Sequence, residues 1–204
     1  MSSNKTWNVL CWNICGINFA EKQLAISNAV ELSGCSIICL QETKRESFDL
    51  NFIKLCCPKK IDPFSFIPSI GNSGGLCVIW MSSVFLGSVK FVNPFALAMD
   101  FTSTQSGDTW SLLNVYGPCS GPLRADFVDW LFEFKIPNGE DWLLVGDFNF
   151  YRAPDNRNRA GGNVNDMLTF NNFICTQSLV ELPIKGRSFS WSNMQLDPLL
   201  VQLD

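Results

Sequence analysis

The 204-residue chain contains no histidine, so it lacks the side chain most often used for acid–base chemistry near neutral pH. It has no apolar run long enough to cross a bilayer, and its N-terminal MSSNKTWN does not have the pattern of a signal peptide. Linkers rich in Pro, Gly or Ser, internal repeats and low-complexity tracts are also missing. These absences predict one intracellular domain over residues 1–204, nuclear or cytoplasmic, neither secreted nor bound to a membrane.

The cysteine content and the net charge argue against two further classes of protein. Nine cysteines, an odd number, lie mostly in apolar runs such as SIICL and GLCVIW, which argues against a disulfide framework. Cys56 and Cys57 have no second pair at zinc spacing, so we interpret them as small buried hydrophobes. A net charge of -4 argues against a protein that holds nucleic acid through a broad basic surface. Basic residues cluster only locally, in QETKRES and YRAPDNRNRAGG.

The hydrophobic pattern predicts an α/β fold. Strand-like and helix-like segments alternate at the start of the chain, and short strands joined by turn residues follow. We predict helices at about 21–33, 48–56, 122–134 and 165–177. The predicted apolar stripe of the first helix consists of Leu24, Ala25, Val30 and Leu32, and that of the last consists of Met167, Phe170, Phe173 and Ile174. This order predicts two packed mixed β-sheets with helices on their outer faces.

The candidate polar residues lie at the C-terminal ends of otherwise apolar strands. Asn13 ends the first strand, Glu42 follows SIICLQ, Tyr116 ends SLLNVY, and Asp147 and Asn149 follow WLLVG. Ligands of open α/β sheets bind outside the carboxyl ends of the strands. We therefore expect these side chains to converge on one cleft if the strands run parallel.

The GDFN segment suggests acid–base chemistry. If the backbone stays extended, Asp147 and Asn149 point to the same side, with Phe148 packed on the other. A carboxylate and an amide placed in this way can orient a water molecule and hold a phosphoryl oxygen. The tetrapeptide fits equally well a turn capped by Asp147 and a loop stabilised by Asn149, so both alternatives stay open.

The other strand-end residues also have two interpretations each. Glu42 offers the hard oxygen that Mg²⁺ prefers, although a glutamate after a buried strand is more often a solvated charge. Tyr116 has a phenolic hydrogen to donate to a phosphate oxygen, although such a tyrosine more often fills core. Asn13 can brace a carboxylate or serve in the turn before Gly16.

Taken in order, the segments WNICGIN, LQETK, NSGGLCVIW, NVYGP, LVGDFN and FSWSN resemble the endonuclease/exonuclease/phosphatase superfamily. The sequence between these motifs is most similar to the N-terminal endonuclease domain of plant LINE-type (non-LTR) retrotransposon polyproteins. The resemblance covers nearly the whole chain. It implies a four-layer α/β sandwich, a Mg²⁺ cofactor with Mn²⁺ as a substitute, DNA as the partner, and a reverse transcriptase region if the chain belongs to a longer polyprotein.

The resemblance also implies residue roles. Glu42 matches the metal-binding glutamate, and Asn13 matches the asparagine that supports the metal and the catalytic aspartate. Tyr116 matches a phosphate-contacting tyrosine, and Asp147 with Asn149 matches the pair that activates water and stabilises the charge developing on phosphorus. Asp204 matches the aspartate that orients the family's catalytic histidine. Lys44, Arg152 and Arg157 lie in the local basic clusters and are the candidates for substrate binding.

The chain departs from the family's pattern in two ways. The family's final Ser-Asp-His segment lies downstream of Asp204, so we expect a C-terminally truncated domain whose last strands are missing and whose activity is weak or absent. Cys15 stands where relatives often carry a charged or polar residue. Three functions remain open: a metal-dependent DNA endonuclease, a non-catalytic retroelement remnant, and a phosphatase acting on a soluble phosphoester.

Overall fold

A computed structural model describes residues 6–57, 63–71 and 73–203. The β-strands are β1 (Val9–Asn13), β2 (Ile37–Gln41), β3 (Phe64–Ile67), β4 (Leu76–Trp80), β5 (Phe85–Asn93), β6 (Ala96–Ser103), β7 (Thr109–Tyr116), β8 (Trp142–Asp147), β9 (Trp191–Ser192) and β10 (Leu200–Val201). The helices are α1 (Ala20–Ser33), α2 (Leu50–Cys56), α3 (Leu123–Glu133) and α4 (Val164–Thr176), and a 3₁₀ turn spans Pro154–Asn156. None of the helices in these described ranges has both the length and the apolar character needed to span a bilayer.

The chain forms two compact units. The first comprises Met1–Tyr116 and Gly139–Gly146, and the second comprises Gly117–Asn138 and Asp147–Asp204. The prediction of a single domain over residues 1–204 stays a prediction.

The first unit contains a mixed sheet with strand order β1-β2-β4-β3. Strands β1 and β2 are parallel, with Asn13 opposite Gln41, whereas β4 is antiparallel to both β2 and β3. A parallel pair requires a crossover connection, which α1 provides here. Both β2 and β4 are buried at every position, which explains why IICLQ and LCVIW are nearly continuous apolar runs.

A second sheet, with order β5-β6-β7-β8, packs against the first. Ile37 and Val78 of the first sheet share a fully buried core with Met99, Phe101 and Leu112 of the second. The other face of the first sheet packs against α1 and α2 through a separate core. The predicted α/β class with two packed β-sheets and flanking helices is confirmed.

The predicted apolar stripe of α1 is wrong. Leu24 is 62% exposed and Leu32 is 88% exposed, whereas Ile26 is completely buried and Val30 packs partly against the core. The helix therefore presents a face that is rotated from the predicted one. Its sequence contains alanine, isoleucine, leucine and valine around most of its circumference, so periodicity alone does not identify the face that packs inward.

The second unit is built around aromatic side chains. Phe170 of α4 stacks on Phe150 with ring centroids 5.2 Å apart, and Phe150 stacks on Phe127 of α3 at 6.0 Å. Met167, Phe170 and Phe173 are all buried, as the pattern of α4 predicted. The strand predicted in SFSWSN is confirmed only as the two-residue β9, which pairs antiparallel with β10.

Five cysteines are buried free thiols, namely Cys35, Cys39, Cys56, Cys57 and Cys77. Burial raises the pKa of the Cys56 thiol to about 11, although the nearby Arg45 guanidinium lowers it. Burial also raises the pKa of Cys57, with further contributions from Cys56 and Cys35. Both thiols therefore stay protonated near neutral pH and pack as small apolar groups, as the sequence predicted.

Candidate functional site

In the first unit, Asn13 and Glu42 come together at one edge of the sheet. Asn13 ends β1, and Glu42 directly follows β2, its parallel neighbour. The Asn13 Nδ2 group donates a hydrogen bond of 2.9 Å to Glu42 Oε1. Parallel strands bring their carboxyl ends to the same edge, so the register of β1 and β2 produces this contact.

Cys15 fixes the direction of the Asn13 amide. The Asn13 Oδ1 atom accepts hydrogen bonds from the Cys15 backbone N–H at 3.2 Å and from the Cys15 thiol at 3.3 Å. With its oxygen turned towards these two donors, the amide turns its nitrogen towards Glu42. Cys15, which in the sequence is only a departure from the family's pattern, therefore orients the partner of Glu42.

Lys44 lies against Glu42. Its Nζ atom is 3.5 Å from Glu42 Oε2, and the two side chains are 36% and 18% exposed. The Lys44 backbone N–H donates to the Gly74 carbonyl at 3.0 Å, and its carbonyl accepts from Asn18 Nδ2 at 2.8 Å. Lys44 was predicted to bind substrate; in this structure its ammonium group pairs with the carboxylate predicted to bind metal.

Backbone strain is concentrated around these residues. Of the six non-glycine residues with positive φ in the described part of the chain, Cys15, Glu42, Lys44 and Asn149 all lie in the candidate segments. Each such conformation costs roughly 1–2 kcal/mol and persists only where surrounding contacts enforce it. At Glu42 one such contact is the 2.7 Å bond from the Gly16 N–H to the Glu42 carbonyl.

A buried amide pair, missed by the sequence analysis, lies next to Glu42. Gln41 is 1% exposed and Asn114 of β7 is 0% exposed. Gln41 Nε2 donates to Asn114 Oδ1 at 2.6 Å, and Asn114 Nδ2 donates to the carbonyls of Leu40 and Cys77, both at 3.3 Å. This network connects the two sheets. Its sequence signal is an amide within an otherwise apolar strand, as in IICLQ and SLLNVY.

Tyr116 ends β7, as predicted. Its ring packs partly against the core between the two sheets, and its backbone N–H donates to the Phe95 carbonyl at 2.8 Å. The packed ring agrees with the interpretation of Tyr116 as a core-filling residue, and its role towards phosphate stays a prediction.

In the second unit, Asp147 and Asn149 form a turn. Asn149 has a φ of 53°, and its backbone N–H donates to Asp147 Oδ1 at 3.0 Å. Of the two alternatives for GDFN, the backbone therefore follows the turn and not the extended path, because Asn149 adopts the left-handed conformation that an asparagine tolerates well. Phe148 is buried against Phe170 and Phe173, as predicted.

Two further hydrogen bonds tie this turn to the segment after β7. Asn149 Nδ2 donates to the Gly117 carbonyl at 2.7 Å, and the Gly117 N–H donates to the Asp147 carbonyl at 2.8 Å. The turn is thus held from both sides, and the Asp147 carboxylate has a defined direction.

The two arginines predicted to bind substrate have contacts within the second unit. Arg152 donates to Asn171 Oδ1 at 2.9 Å and pairs with Glu181, whereas the Arg157 guanidinium lies 5.7 Å from the centre of the Tyr151 ring. Their role in substrate binding stays a prediction. Asp204 lies outside the described residues.

The donor chemistry at Glu42 fits a hard divalent cation. In the described part of the chain, no group of three or more His, Cys, Asp or Glu side chains is arranged to hold a metal ion. Mg²⁺, however, is often held by one or two carboxylates together with water and substrate phosphate. The Glu42 carboxylate, oriented by Asn13 and only 18% exposed, is a suitable donor of this kind.

Comparison with known proteins gives a family match. The model of the Endonuclease/Exonuclease/phosphatase family matches residues 6–195. No curated protein matches the chain by sequence.

Several solved structures share the fold. An apurinic/apyrimidinic (AP) endonuclease from Archaeoglobus fulgidus aligns over 97% of this chain and 87% of its own, with a TM-score of 0.65 and 12% identity. The AP endonuclease LMAP from Leishmania major aligns over 84% of this chain, with a TM-score of 0.60 and 16% identity; the match spans 66% of that protein. The endonuclease domain of TRAS1, a telomere-specific non-LTR retrotransposon, aligns over 82% of this chain and 72% of its own, with a TM-score of 0.55 and 12% identity.

Proposed function

Because the chain belongs to the endonuclease/exonuclease/phosphatase family, we propose that it is a Mg²⁺-dependent phosphodiester hydrolase of the DNA endonuclease type. The observation that carries this proposal is the 2.9 Å hydrogen bond from Asn13 Nδ2 to Glu42 Oε1. It holds a carboxylate in a strained backbone conformation at the carboxyl ends of two parallel strands, where metal and phosphate ligands bind in α/β proteins.

Glu42 is the proposed metal ligand, and Asn13 keeps its carboxylate in place. Bound Mg²⁺, or Mn²⁺ in its stead, would stabilise the negative charge that develops on the phosphoryl oxygens. The Lys44 ammonium lies 3.5 Å from Glu42 Oε2 and balances the carboxylate charge, and we propose that it also interacts with a substrate phosphate.

Asp147 is the proposed general base. Its carboxylate accepts a proton from the attacking water, while the Asn149 amide stabilises charge on phosphorus and the Tyr116 hydroxyl donates to a phosphate oxygen. The chain contains no histidine, so the leaving oxygen takes its proton from water. We therefore expect slow turnover, because a positioned general acid typically contributes about 10²–10⁴-fold to the rate.

DNA is the proposed substrate. Three structural relatives are named as endonucleases, two of them as AP endonucleases and one as part of a non-LTR retrotransposon. That last relative is consistent with a non-LTR retrotransposon lineage; the resemblance of the motifs is our ground for proposing the plant LINE type, with a reverse transcriptase region in the same polyprotein. With a net charge of -4, the chain would contact phosphates through local groups such as Lys44, Arg152 and Arg157, and its affinity should fall with salt.

Replacing Asp147 with asparagine should lower the rate of plasmid nicking about a hundredfold, since it removes the proton acceptor but keeps the shape of the side chain. The measurement is the conversion of supercoiled plasmid to the open circle in the presence of Mg²⁺. Asp155→Asn, an exposed carboxylate in the Pro154–Asn156 turn, is the matched control and should nick at the wild-type rate.

The same assay decides between the proposed function and its alternatives. Equal nicking by wild type and Asp147→Asn would rule out Asp147 as the general base, and no nicking by the wild type above a protein-free background would leave a non-catalytic protein. Hydrolysis of a soluble phosphomonoester such as p-nitrophenyl phosphate without any nicking would replace the endonuclease with a phosphatase.

Replacing Glu42 with glutamine should weaken Mn²⁺ binding by a factor of about ten or more, because the neutral amide is a poorer ligand for a hard cation. Free Mn²⁺ measured by electron paramagnetic resonance reports binding independently of turnover. Glu46→Gln changes an exposed carboxylate four positions away and should bind Mn²⁺ as the wild type does. Equal affinities in all three proteins would refute the assignment of Glu42.

A further inference from the structure

We propose that Arg124 is the residue that positions the Asp147–Asn149 turn for the reaction, an inference that rests on the proposed function. Arg124 was not among the candidate residues of the sequence. Its side chain is 15% exposed, which is low for an arginine, and its contacts account for this burial.

The guanidinium group bonds to two loops and one helix of the second unit. Its Nη1 atom donates to the Pro118 carbonyl at 2.9 Å, and its Nη2 atom donates to the Asn149 carbonyl at 3.2 Å. The same Nη2 atom donates to Asp166 Oδ2 of α4 at 3.1 Å. A planar group with several fixed donors can satisfy these three acceptors at once, which the ammonium of a lysine cannot do in the same geometry.

An aromatic face holds the guanidinium from one side. Its central carbon lies 3.8 Å from the centre of the Phe150 ring. Phe150 is completely buried and stacked on Phe170 with an interplanar angle of 6°. The direction of the Arg124 donors is therefore set by the rigid aromatic core of the unit.

Helix stability does not explain the presence of Arg124. It is the second residue of α3, in the first turn of the helix, where the helix dipole disfavours a cation. A residue that opposes the local preference of its own helix is expected to have a compensating role. For Arg124 this role is to bind the Pro118 and Asn149 carbonyls and the Asp166 carboxylate.

The bond to Asn149 is the one that bears on chemistry. Asn149 holds a left-handed backbone conformation, and its N–H orients the Asp147 carboxylate through the 3.0 Å bond to Oδ1. Its side chain is held by the Gly117 carbonyl and its own carbonyl by Arg124. Without Arg124 the Asn149 peptide loses one of these anchors, and the direction of the Asp147 carboxylate becomes less well defined.

Two variants separate positioning from general stability. Arg124→Lys keeps the charge but loses the paired donors to Pro118 and Asn149. Asp166→Ala removes the ion pair between Arg124 and Asp166 but leaves both loop bonds in place. Both proteins should lose some thermal stability, and only Arg124→Lys should disturb the turn.

The first measurement is the ¹⁵N–¹H NMR spectrum of each protein. The backbone and side-chain amide signals of Asn149 should shift in Arg124→Lys and stay in place in Asp166→Ala. The second is steady-state nicking, in which Arg124→Lys should reduce kcat about ten- to a hundredfold with KM within twofold of the wild type, because a small misplacement of a reacting group is costly.

Unshifted Asn149 signals in Arg124→Lys, or a kcat within twofold of the wild type, would overturn the inference. An equal loss of kcat in Asp166→Ala would also overturn the inference, because the loss in Arg124→Lys would then be explained by lower stability of the protein. An inactive wild type would instead refute the proposed function, and with it the catalytic role of Arg124, while the NMR signals would still decide whether Arg124 fixes the turn.

Discussion

Gly146→Ala should lower the free energy of unfolding by about 3–5 kcal/mol, since it combines a strained backbone with a clash that cannot relax. Gly146 has a φ of +134°, and a Cβ atom placed there would lie 2.0 Å from the Val115 carbonyl oxygen. The same Cβ would be 2.7 Å from the Val115 nitrogen. Both obstacles are backbone atoms of β7, the strand beside β8, so no change of rotamer removes them.

Urea denaturation followed by circular dichroism measures this loss. Gly139→Ala is the matched control, because Gly139 also has a positive φ of 81°, but among the described residues no atom beyond Gly139 and its chain neighbours lies within 4 Å of an added Cβ. Gly139→Ala should lower the free energy of unfolding by only about 1–2 kcal/mol, because the backbone strain is present without a clash. If the two variants are equally destabilised, the clash with Val115 is absent and the close approach of β7 and β8 at Gly146 is wrong.

Asn114→Leu and Gln41→Met should each lower the free energy of unfolding by about 2–4 kcal/mol, because each leaves the other amide buried without its main partner. The bond between them is 2.6 Å long and both residues are almost completely buried. The double variant should lose clearly less than the sum, with a coupling of about 1–2 kcal/mol, since replacing both polar groups removes the unsatisfied partner.

Urea denaturation of the wild type, the two single variants and the double variant measures this coupling free energy. Thr104→Val is a suitable reference, because its exposed hydroxyl donates to the Ser83 and Val84 carbonyls, and its loss should add independently to that of Asn114→Leu. Strict additivity of Gln41→Met and Asn114→Leu would show that the amide pair does not connect the sheets energetically.

The position of the Asn13–Glu42 contact could be predicted from the sequence, because it depends on the strands themselves. Apolar runs identify β1 and β2, the helix between them makes the pair parallel, and a polar residue at each strand end must then reach the same edge. The family resemblance adds the roles of these residues, which the strand pattern alone does not give.

The turn at Asn149 could not be predicted in the same way. The choice between an extended and a left-handed backbone depends on the Gly117 carbonyl and on Arg124, which are 32 and 25 positions away. The Gln41–Asn114 pair is separated by 73 positions. Local pattern contains no information about such partners, and the same is true of α1, where packing rather than periodicity decides that Ile26 is buried and Leu24 is exposed.

The two carboxylates in this protein also differ in how much of the chain must be folded before they are oriented. The Asn13–Glu42 contact closes a loop of 29 positions, whereas Asp147 and Asn149 are two positions apart. Closing the longer loop costs more chain entropy, so the Glu42 arrangement forms only together with the pairing of β1 and β2. A cation that binds Glu42 should therefore slow the global unfolding of the first unit, and amide hydrogen exchange in β1 and β2 would record this as added protection.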